Sequence, residues 1–365
     1  MNINRNCRGV PSFRRVCTRL VQCLALAVVT AGASSTSFAF TGTDANTLIN
    51  AYNTAFFRVN SGRGFYVANT TTSNKADFWK FANEIQMLTD AYDRTGSGTY
   101  LTMITQLCTG FTAHYGSNWS NNGFNDDIMW ASMAFARAYK KTGNTSFRTT
   151  AKTNFDLCYA RAWDTVAGGL WWTTGKTSKV SAVNFPGAIA AYNLFETLGD
   201  GSYRTKSQGI FDWGKAHLWN PATGQVFDSP TNLTPTSYNQ GTFVGAANYL
   251  GDVASATLVA NYSKNSMGST SPTSGGFRLL PNYDDNNDLG GFNGICLRWT
   301  AKFMKDRGLQ ANYLAWMQAN ANAAFSVRRS DNLSWTKWHN PTPAGIMYSW
   351  GCSSSVVALQ VVPAG

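Results

Sequence analysis

Apolar residues recur three and four positions apart along most of the chain, which is the spacing of one face of an α-helix. In the segment DFWKFANEIQMLTDAYDRTG, residues 77–96, the apolar side chains at positions 78, 81, 85, 88 and 92 form one such stripe. Almost every helical segment ends in glycine, which commonly closes a helix. Strict alternation of apolar and polar residues is much rarer. The pattern therefore predicts an all-α protein.

A short pattern repeats along the chain and divides it into helical hairpins. An aromatic residue ends one helix, glycine terminates it, and a Tyr or Phe about four residues later starts the next. The pattern occurs at Tyr92, Tyr139, Phe195, more loosely Tyr249, and Phe303, at intervals of 47, 56, 54 and 54 residues. Each interval is the length of two helices with their loops. Twelve helices are predicted, near 44–57, 75–94, 98–115, 125–142, 145–162, 180–198, 202–219, 237–250, 252–266, 288–306, 309–327 and 351–361.

Six hairpins without an extended linker predict an (α/α)6 toroid in a single domain, residues 40–365. An open solenoid is the alternative, but it would expose apolar ends, and this chain shows no special caps for them. The stretch NSMGSTSPTSGG, residues 265–276, is rich in Gly and Ser and reads as a surface loop or a short hairpin.

The first 39 residues have the composition of an export signal peptide. Basic residues precede the apolar run 20–33, and small residues end at Ala39, where cleavage is expected. The run is too short for a membrane span, and no later segment reaches the roughly 18 apolar residues that a span needs. We therefore expect an exported protein, secreted or periplasmic, with residues 1–39 removed.

The charge of the chain gives little sign of a nucleic-acid partner. Because the leader holds five of the 30 Lys and Arg and none of the 19 Asp and Glu, the net charge of +11 becomes +6 in the remaining chain. The basic residues form no blocks, which is typical of a solvated surface. A phosphate-bearing or acidic polysaccharide would be compatible with this surplus. We expect a monomer that binds no nucleic acid.

Several familiar kinds of site are missing from the sequence. The three histidines are isolated, and the four cysteines after the leader, Cys108, Cys158, Cys296 and Cys352, are too scattered for a zinc site and leave disulfide pairing open. There is no nucleophile elbow, phosphate-binding loop or dinucleotide fingerprint. The stretch DDNNDLGG resembles a calcium loop, but Ile295 stands at its twelfth position instead of Glu. We expect neither a metal nor an organic cofactor.

Two adjacent aspartates, Asp126 and Asp127, stand at the start of a predicted helix in GFNDDIMWASMAFARAYKKTG, residues 123–143. Each is unfavourable for helix formation, and each repels the other. The open N–H groups and the dipole of a first helical turn favour negative charge, so one aspartate is explained as a cap. A cap needs only one of them.

A catalytic pair is the other explanation. Neighbouring side chains at a helix start diverge by about 100° around the axis, and their carboxyl groups can lie roughly 5 Å apart, as retaining glycosidases require. Repulsion and burial in a cleft would raise the pKa of one carboxyl and leave the other ionised, which separates the acid from the nucleophile. In a toroid the helix starts at one end surround a central cleft. From the residues alone, capping and catalysis both stay open.

Four sequence blocks, FNDDIMWASMAFARAYKKTGN, GGLWWTT, SYNQGTFVGAANYL and DLGGFNGICLRW, occur in the order and approximate spacing of glycoside hydrolase family 76. The chain resembles this family over roughly residues 44–330, which implies an (α/α)6 toroid and an endo-α-1,6-mannanase acting on α-mannan with retention of configuration. It also implies Asp126 as the nucleophile and Asp127 as the acid/base. The chain departs from the family at Ala131, where a second Trp is frequent, and at Asn293, where a Lys is common.

The resemblance extends to a set of substrate contacts. The amides Asn239 and Gln240 at the start of the third block are expected to hydrogen-bond vicinal hydroxyl groups, and the tryptophans are expected either to stack on sugar rings or to pack in the core. The expected contacts are Trp130, Trp171, Trp172, Asn184, Asp228, Tyr238, Asn239 and Gln240. Three alternatives remain at this point: a transglycosidase with the same aspartates, a non-catalytic glycan-binding toroid, and another toroid enzyme acting on acidic oligosaccharides.

Overall fold

The computed structural model describes residues 39–365, so all but the last residue of the expected export signal lies outside the described residues. No helix of the described part is long and apolar enough to cross a membrane. Twelve α-helices follow one another: α1 (Gly42–Phe56), α2 (Phe78–Thr95), α3 (Gly98–Tyr115), α4 (Asn125–Thr142), α5 (Thr145–Ala162), α6 (Ser181–Leu198), α7 (Gly201–His217), α8 (Ser237–Leu250), α9 (Val253–Asn265), α10 (Phe292–Arg307), α11 (Gln310–Ser326) and α12 (Ser349–Val361).

The helices form two concentric rings. The even-numbered helices contact one another in the order α2, α4, α6, α8, α10, α12, and α12 closes the ring by packing on α2. Each odd-numbered helix packs outside this ring against an even-numbered neighbour, with α1 against α12. The arrangement is the (α/α)6 toroid that the hairpin repeat predicts. Closure of the ring removes the apolar ends that a solenoid would expose.

Burial separates the inner ring from the outer ring. Inner helices such as α6 and α12 are buried on nearly all sides, whereas outer helices such as α1 and α7 bury only one stripe. Glycine allows the inner helices to approach closely: a Cβ on Gly241 of α8 would lie 2.5 Å from the Cα of Cys296 in α10. The inner ring is therefore held by direct contact between helix backbones.

The glycines of the repeat end the inner helices as predicted. Gly96, Gly143 and Gly199 adopt the left-handed conformation, and each donates its N–H to the carbonyl of the repeat's aromatic residue four positions earlier. The next polar residue then caps the outer helix, as Asn144 does by accepting from the Ser146 N–H. These short turns lie at one end of the ring. The longer loops all lie at the other end, where the inner helices begin.

Two small hairpins interrupt the helical pattern. Strands β1 (Phe57–Asn60) and β2 (Arg63–Tyr66) pair antiparallel, as do β3 (Ser269–Thr270) and β4 (Arg278–Leu279). The first hairpin was not predicted, and the second lies at the Gly- and Ser-rich stretch where a loop or hairpin was expected. The helix predicted from residue 288 begins as the 3-10 turn Asp288–Gly291, and α10 follows. The four cysteines of the described part are buried free thiols.

Candidate active site

A cleft of about 400 Å³ opens at the end of the ring where the inner helices begin. Side chains from the starts of α2, α4, α6, α8 and α10, and from the loops that precede them, surround it. Carboxylates and aromatic rings make up most of its wall. The lining residues are Asp77, Trp79, Phe124, Asp126, Asp127, Trp130, Trp172, Val180, Ala182, Asp228, Tyr238, Asp288 and Phe292.

The start of α4 is fixed by a buried polar network. Asn125 receives a hydrogen bond on Oδ1 from Arg161 Nε at 2.7 Å, and its Nδ2 donates to the carbonyl of Trp171 at 2.8 Å. The Asn125 N–H donates to the carbonyl of Trp172 at 2.8 Å. Arg161 also donates to the carbonyl of Asn122 at 2.5 Å. The network joins α4 and α5 to the loops on either side, so the aspartates that follow Asn125 are held in a defined place.

The two aspartates are placed differently within this first turn. The N-cap position belongs to Phe124, which has no side-chain capping hydrogen bond. Asp127 Oδ2 accepts from Asn122 Nδ2 at 2.9 Å. Asp126 Oδ1 is buried and has no hydrogen-bond partner among the described residues. An aspartate that served only as a cap would occupy the N-cap position, so capping does not explain this pair.

Burial raises the pKa of both carboxyl groups. It raises the pKa of Asp126 to about 7, with the neighbouring Asp127 carboxylate adding to the effect and the Trp172 side chain and first-turn N–H groups opposing it. It raises the pKa of Asp127 to about 6, against the hydrogen bond from Asn122, while Asp288 adds to the rise. Two interacting acids of this kind titrate as a unit. Between the two values the pair therefore holds one proton.

Four of the predicted substrate contacts lie in the wall of the cleft beside the aspartates: Trp130, Trp172, Asp228 and Tyr238. Trp172 is 37% exposed, so one face of its indole is open to a ligand. The Tyr238 ring packs on Phe292, with 4.0 Å between ring centroids. Asp228 is half-buried, and burial raises the pKa of its carboxyl group.

Three other predicted substrate contacts, Asn184, Gln240 and Trp171, lie outside the cleft wall and interact with other parts of the protein. Asn184 is fully buried, and its amide bonds the N–H and the carbonyl of Leu170 at 2.8 and 3.2 Å. Gln240 makes the same pair of bonds to Val226, at 3.2 and 2.9 Å. Trp171 has the ammonium group of Lys179 over its ring at 4.4 Å. The two amides thus fasten loops at the cleft end of the ring and have no free groups for sugar.

Asn239 has no hydrogen-bond partner for either amide atom among the described residues, although the residue is fully buried. It nevertheless lowers the pKa of Asp228 through a side-chain interaction, so it lies next to the cleft wall. Asn293 stands at the position where the family that this chain resembles commonly has Lys. Its side chain is buried, where it accepts a hydrogen bond from Ser237 Oγ at 2.8 Å and donates one to the carbonyl of Pro281 at 2.9 Å.

The structure adds cleft residues that the sequence reasoning missed. Lys80 lies between Asp77 and Asp288, with ion-pair distances of 2.8 and 3.1 Å. Both carboxylate side chains are 72% exposed, so they can reach a ligand. Trp79 packs edge-on against Trp350 at 4.7 Å between ring centroids. The described residues contain no group of three or more His, Cys, Asp or Glu suited to a metal ion.

Comparison with known proteins agrees with this architecture. The sequence profile described as Glycosyl hydrolase family 76 matches residues 42–364. The α-1,6-mannanase GH76A from Salegentibacter sp. HEL1_6 superposes with a TM-score of 0.77 at 24% identity, covering 88% of this chain and 98% of that one. An inactive variant of the same enzyme, with two adjacent aspartates replaced by asparagine, was solved with α-1,6-mannotriose and superposes with a TM-score of 0.79 at 24% identity, covering 88% and 98%.

A more distant structure has the same fold. A family 76 mannosidase from Bacteroides thetaiotaomicron VPI-5482 superposes with a TM-score of 0.74 at 17% identity, covering 87% of this chain and 96% of that one. Identities this low establish the fold and leave the substrate of this chain open. None of the curated proteins compared with the chain matches it.

Proposed function

Because the chain belongs to glycosyl hydrolase family 76, we propose that it hydrolyses α-1,6-mannosidic linkages within a mannan and retains the anomeric configuration. The observation that supports this most directly is the adjacent pair Asp126 and Asp127, half-buried in a cleft among aromatic rings. The similar Salegentibacter enzyme is described as inactive when two adjacent aspartates are replaced, and that variant holds α-1,6-mannotriose.

In the proposed mechanism Asp126 attacks the anomeric carbon while Asp127 gives its proton to the departing glycosidic oxygen. The bond between the sugar and the leaving chain breaks as the ester bond to Asp126 forms. Asp127, now ionised, removes a proton from water, which attacks the same carbon and releases Asp126. Two displacements restore the original configuration. Both half-reactions use only the two carboxyl groups and water.

The environment of each aspartate fits this division. Asp126 has a buried oxygen without a partner, so a sugar hydroxyl can donate to it and favour its ionised form. Asp127 is held by Asn122, which fixes the direction of its carboxyl group. In the free pair the single proton lies mainly on Asp126, whose pKa is the higher of the two, and substrate binding has to move it to Asp127. The leaving oxygen is then met by a protonated acid.

The cleft wall suits a polysaccharide. Trp172 presents an aromatic face on which the apolar face of a sugar ring can stack, whereas Trp130 is only 1% exposed and supports the wall from behind, packed on Trp79. Asp77, Asp228 and Asp288 are acceptors for sugar hydroxyl groups. The high exposure of Asp77 and Asp288 shows that the rim is open beyond the aspartate pair. An open rim accommodates a chain that continues on both sides of the cleaved bond, which is the basis for proposing internal cleavage.

The test is a polysaccharide screen combined with conservative variants. The protein is incubated with linear α-1,6-mannan, with β-1,4-mannan and with a polyuronate, and released reducing ends are measured. We expect release from α-1,6-mannan alone, and a loss of at least about a thousandfold in Asp126→Asn and Asp127→Asn with mannotriose binding retained. Undiminished activity in either variant would overturn the assignment. Release from the polyuronate alone would indicate an enzyme for acidic glycans.

The order of the two roles is tested with azide. In an Asp126→Gly variant, azide should restore activity by attacking the anomeric carbon from the face that the Asp126 carboxylate no longer occupies, so we expect a product of inverted configuration. In Asp127→Gly, azide replaces water in the second displacement, so we expect a product of retained configuration. The opposite pattern would exchange the two roles. Adding a mannosyl acceptor to the wild-type reaction, and counting free reducing ends, separates hydrolysis from transglycosylation.

We also propose that the protein acts outside the cytoplasm, because its first 39 residues have the composition of an export signal. Cell fractionation and N-terminal sequencing of the recovered protein test this. A mature chain that begins at residue 40 supports it. A chain that keeps its first residues inside the cytoplasm contradicts it.

A further inference from the structure

A second pocket, of about 410 Å³, opens at the opposite end of the ring, where the inner helices end. We call it the basic pocket. All six inner helices contribute to it, and none of its residues takes part in the cleft. Charged side chains make up most of its lining, together with the aromatic residues Trp299 and Tyr249.

The innermost part of the basic pocket holds two guanidinium groups and one carboxylate. Asp90 accepts from Arg298 Nε at 2.6 Å and from Arg137 at 2.7 Å. The side chains of Arg298 and Asp90 are only 3% and 4% exposed. One carboxylate balances one guanidinium, so one positive charge remains buried here without a counter-charge. Buried charge without compensation is unfavourable.

The surplus continues towards the mouth of the pocket. Seven cationic side chains and four carboxylates line it, which leaves three positive charges. Lys302 pairs with Asp306 at 2.8 Å, and Arg94 is bound by the neutral amide of Gln360 at 2.7 Å. Lys305 is exposed and forms no ion pair with the described residues. The lining thus offers cations that no carboxylate in the pocket matches.

Two buried hydrogen-bond donors at this pocket also lack acceptors. The Nε1–H of Trp299, a lining residue that is 1% exposed, has no partner among the described residues. The Nδ2 of Asn193 has none either, and its Oδ1 accepts from Lys140 at 2.6 Å and from Tyr249 at 3.3 Å. An unmade bond of a buried donor is costly. Asn193 is not part of the pocket lining, so an acceptor-rich ligand in the pocket would satisfy the Trp299 donor only.

The helix ends offset only part of this surplus. Each inner helix brings about half a negative charge to its C-terminal end, and cations near such ends are a common arrangement. Five of the six ends, however, are already closed by a glycine N–H, as at Gly308, which donates to the carbonyl of Met304. Helix ends neither fill a cavity nor supply an acceptor for Trp299.

Two of the lining groups, Lys140 and Arg298, behave as cations that lack a full counter-ion, whereas the pKa of Arg137 is raised because Asp90 outweighs the effect of its burial. Burial lowers the pKa of Lys140, against the nearby Glu196 carboxylate. Burial also lowers the pKa of Arg298, and the neighbouring Arg137 adds to that effect. A bound anion would act in the opposite direction on Lys140 and Arg298.

We propose that the basic pocket binds a small phosphate-bearing ligand, with the phosphate group received by Arg298, Arg137 and Lys305. Planar guanidinium groups suit the oxygens of a phosphate, and an ammonium group adds a point charge. The pocket is larger than a phosphate ion, and the aromatic side chains Trp299 and Tyr249 form part of its wall. A hexose phosphate is therefore the class of ligand that fits. The site is separate from the cleft and does not depend on the proposed mannanase activity.

The test measures binding to the full chain by calorimetry, with inorganic phosphate, glucose 6-phosphate and neutral glucose as probes at constant ionic strength. We expect saturable binding of both phosphates at one site per chain and none of glucose. Tighter binding of glucose 6-phosphate would assign the ligand as a sugar phosphate, and equal binding would assign it as free phosphate. No saturable binding of either phosphate would overturn the proposal.

Two conservative variants and one control locate the site. Lys305→Met removes an exposed ammonium group and should weaken phosphate binding about tenfold, the worth of one charge-assisted hydrogen bond. Trp299→Phe keeps an aromatic ring, although a smaller one than the indole, and removes the N–H, and should weaken binding about fivefold. Lys264→Met removes a lysine of α9 outside the pocket and should have no effect. Equal losses in Lys264→Met and Lys305→Met would show a non-specific ionic effect and contradict the proposal.

Discussion

Replacing Asn122 with Ala should move the pH dependence of the reaction towards higher pH. The Asn122 amide donates to Asp127 Oδ2 at 2.9 Å and so stabilises the ionised form of that carboxyl group. Without the donor the ionised form is less favourable, and the pKa of Asp127 rises. Asp127 acts as the acid and must hold its proton, so its ionisation, with a pKa of about 6, sets the alkaline limb of the profile.

The size of the shift follows from the strength of one hydrogen bond. A hydrogen bond to a charged group contributes about 1.5 kcal/mol, and one pKa unit corresponds to about 1.4 kcal/mol. The alkaline limb should therefore move up by up to about one unit. Asn122→Asp keeps the acceptor for the Phe124 N–H, which Asn122 Oδ1 binds at 2.9 Å, and replaces the donor by a like charge. Its alkaline limb should move at least as far.

The assay is kcat/KM for release of reducing ends from α-1,6-mannan between pH 4 and pH 9, because this ratio reports ionisations of the free enzyme. Asn121→Ala is the matched control, since Asn121 is the exposed neighbour of Asn122 in the same loop. Its profile should match that of the wild type. An alkaline limb that stays in place in Asn122→Ala, with activity retained, would refute the coupling between Asn122 and Asp127.

Three further predictions concern stability, each read from urea unfolding. Burial raises the pKa of Glu84 to about 8, so the folded state holds a proton that the unfolded state loses above the ordinary pKa of this carboxyl group. The free energy of unfolding should therefore fall as pH rises from about 5 to 8. Over that range Glu84→Gln should gain a few kcal/mol relative to wild type. A constant difference would contradict this. Asp90→Asn leaves two buried guanidinium groups without their carboxylate and should cost about 3 kcal/mol or more of stability. Asp93→Asn, which breaks a half-exposed ion pair, should cost under about 1 kcal/mol. Equal losses would be inconsistent with a buried charge cluster. Gly241→Ala forces a methyl group into the backbone of α10 and should cost about 1–3 kcal/mol, while Gly201→Ala, with open space around it, should be near neutral; similar values for both would argue against close helix contact.

The helices of this protein could be predicted closely because their ends are determined by local chemistry. The glycine at position 96 stops α2 through a left-handed turn, and Ser97 then caps α3, so a few neighbouring residues define both boundaries. The ring itself is not local, because its closure depends on α12 packing against α2. In the sequence, only the repeat of helical hairpins of similar length indicated a closed ring. The hairpin of β1 and β2 left no such signal.

The site was predictable where a motif is short and continuous. Asp126 and Asp127 could be identified from their position in one helical turn. Trp171 and Trp172 were both expected in the cleft, although neighbouring residues in an extended segment point to opposite sides, and this rule could have removed one of them. Whether a buried amide such as Asn184 faces substrate or backbone depends on where a distant loop passes.

The remaining cleft residues come from segments far apart in the chain. Asp77 and Asp288 are brought together around Lys80 only by closure of the ring, since more than two hundred residues separate the two aspartates. Taken alone, each is an ordinary polar residue at a helix start. No sequence signal marks them as partners. The basic pocket was missed for the same reason, because its charges come from six different helices.

The most direct test of the central claim is the stereochemistry of the first product. Proton NMR follows the anomeric signals while α-1,6-mannotetraose is digested by wild type and by Asp126→Asn. If Asp126 and Asp127 carry out two displacements, the new reducing end should appear first as the α-anomer and then equilibrate, and Asp126→Asn should release essentially none. A first product in the β configuration, or undiminished release by Asp126→Asn, would contradict the account.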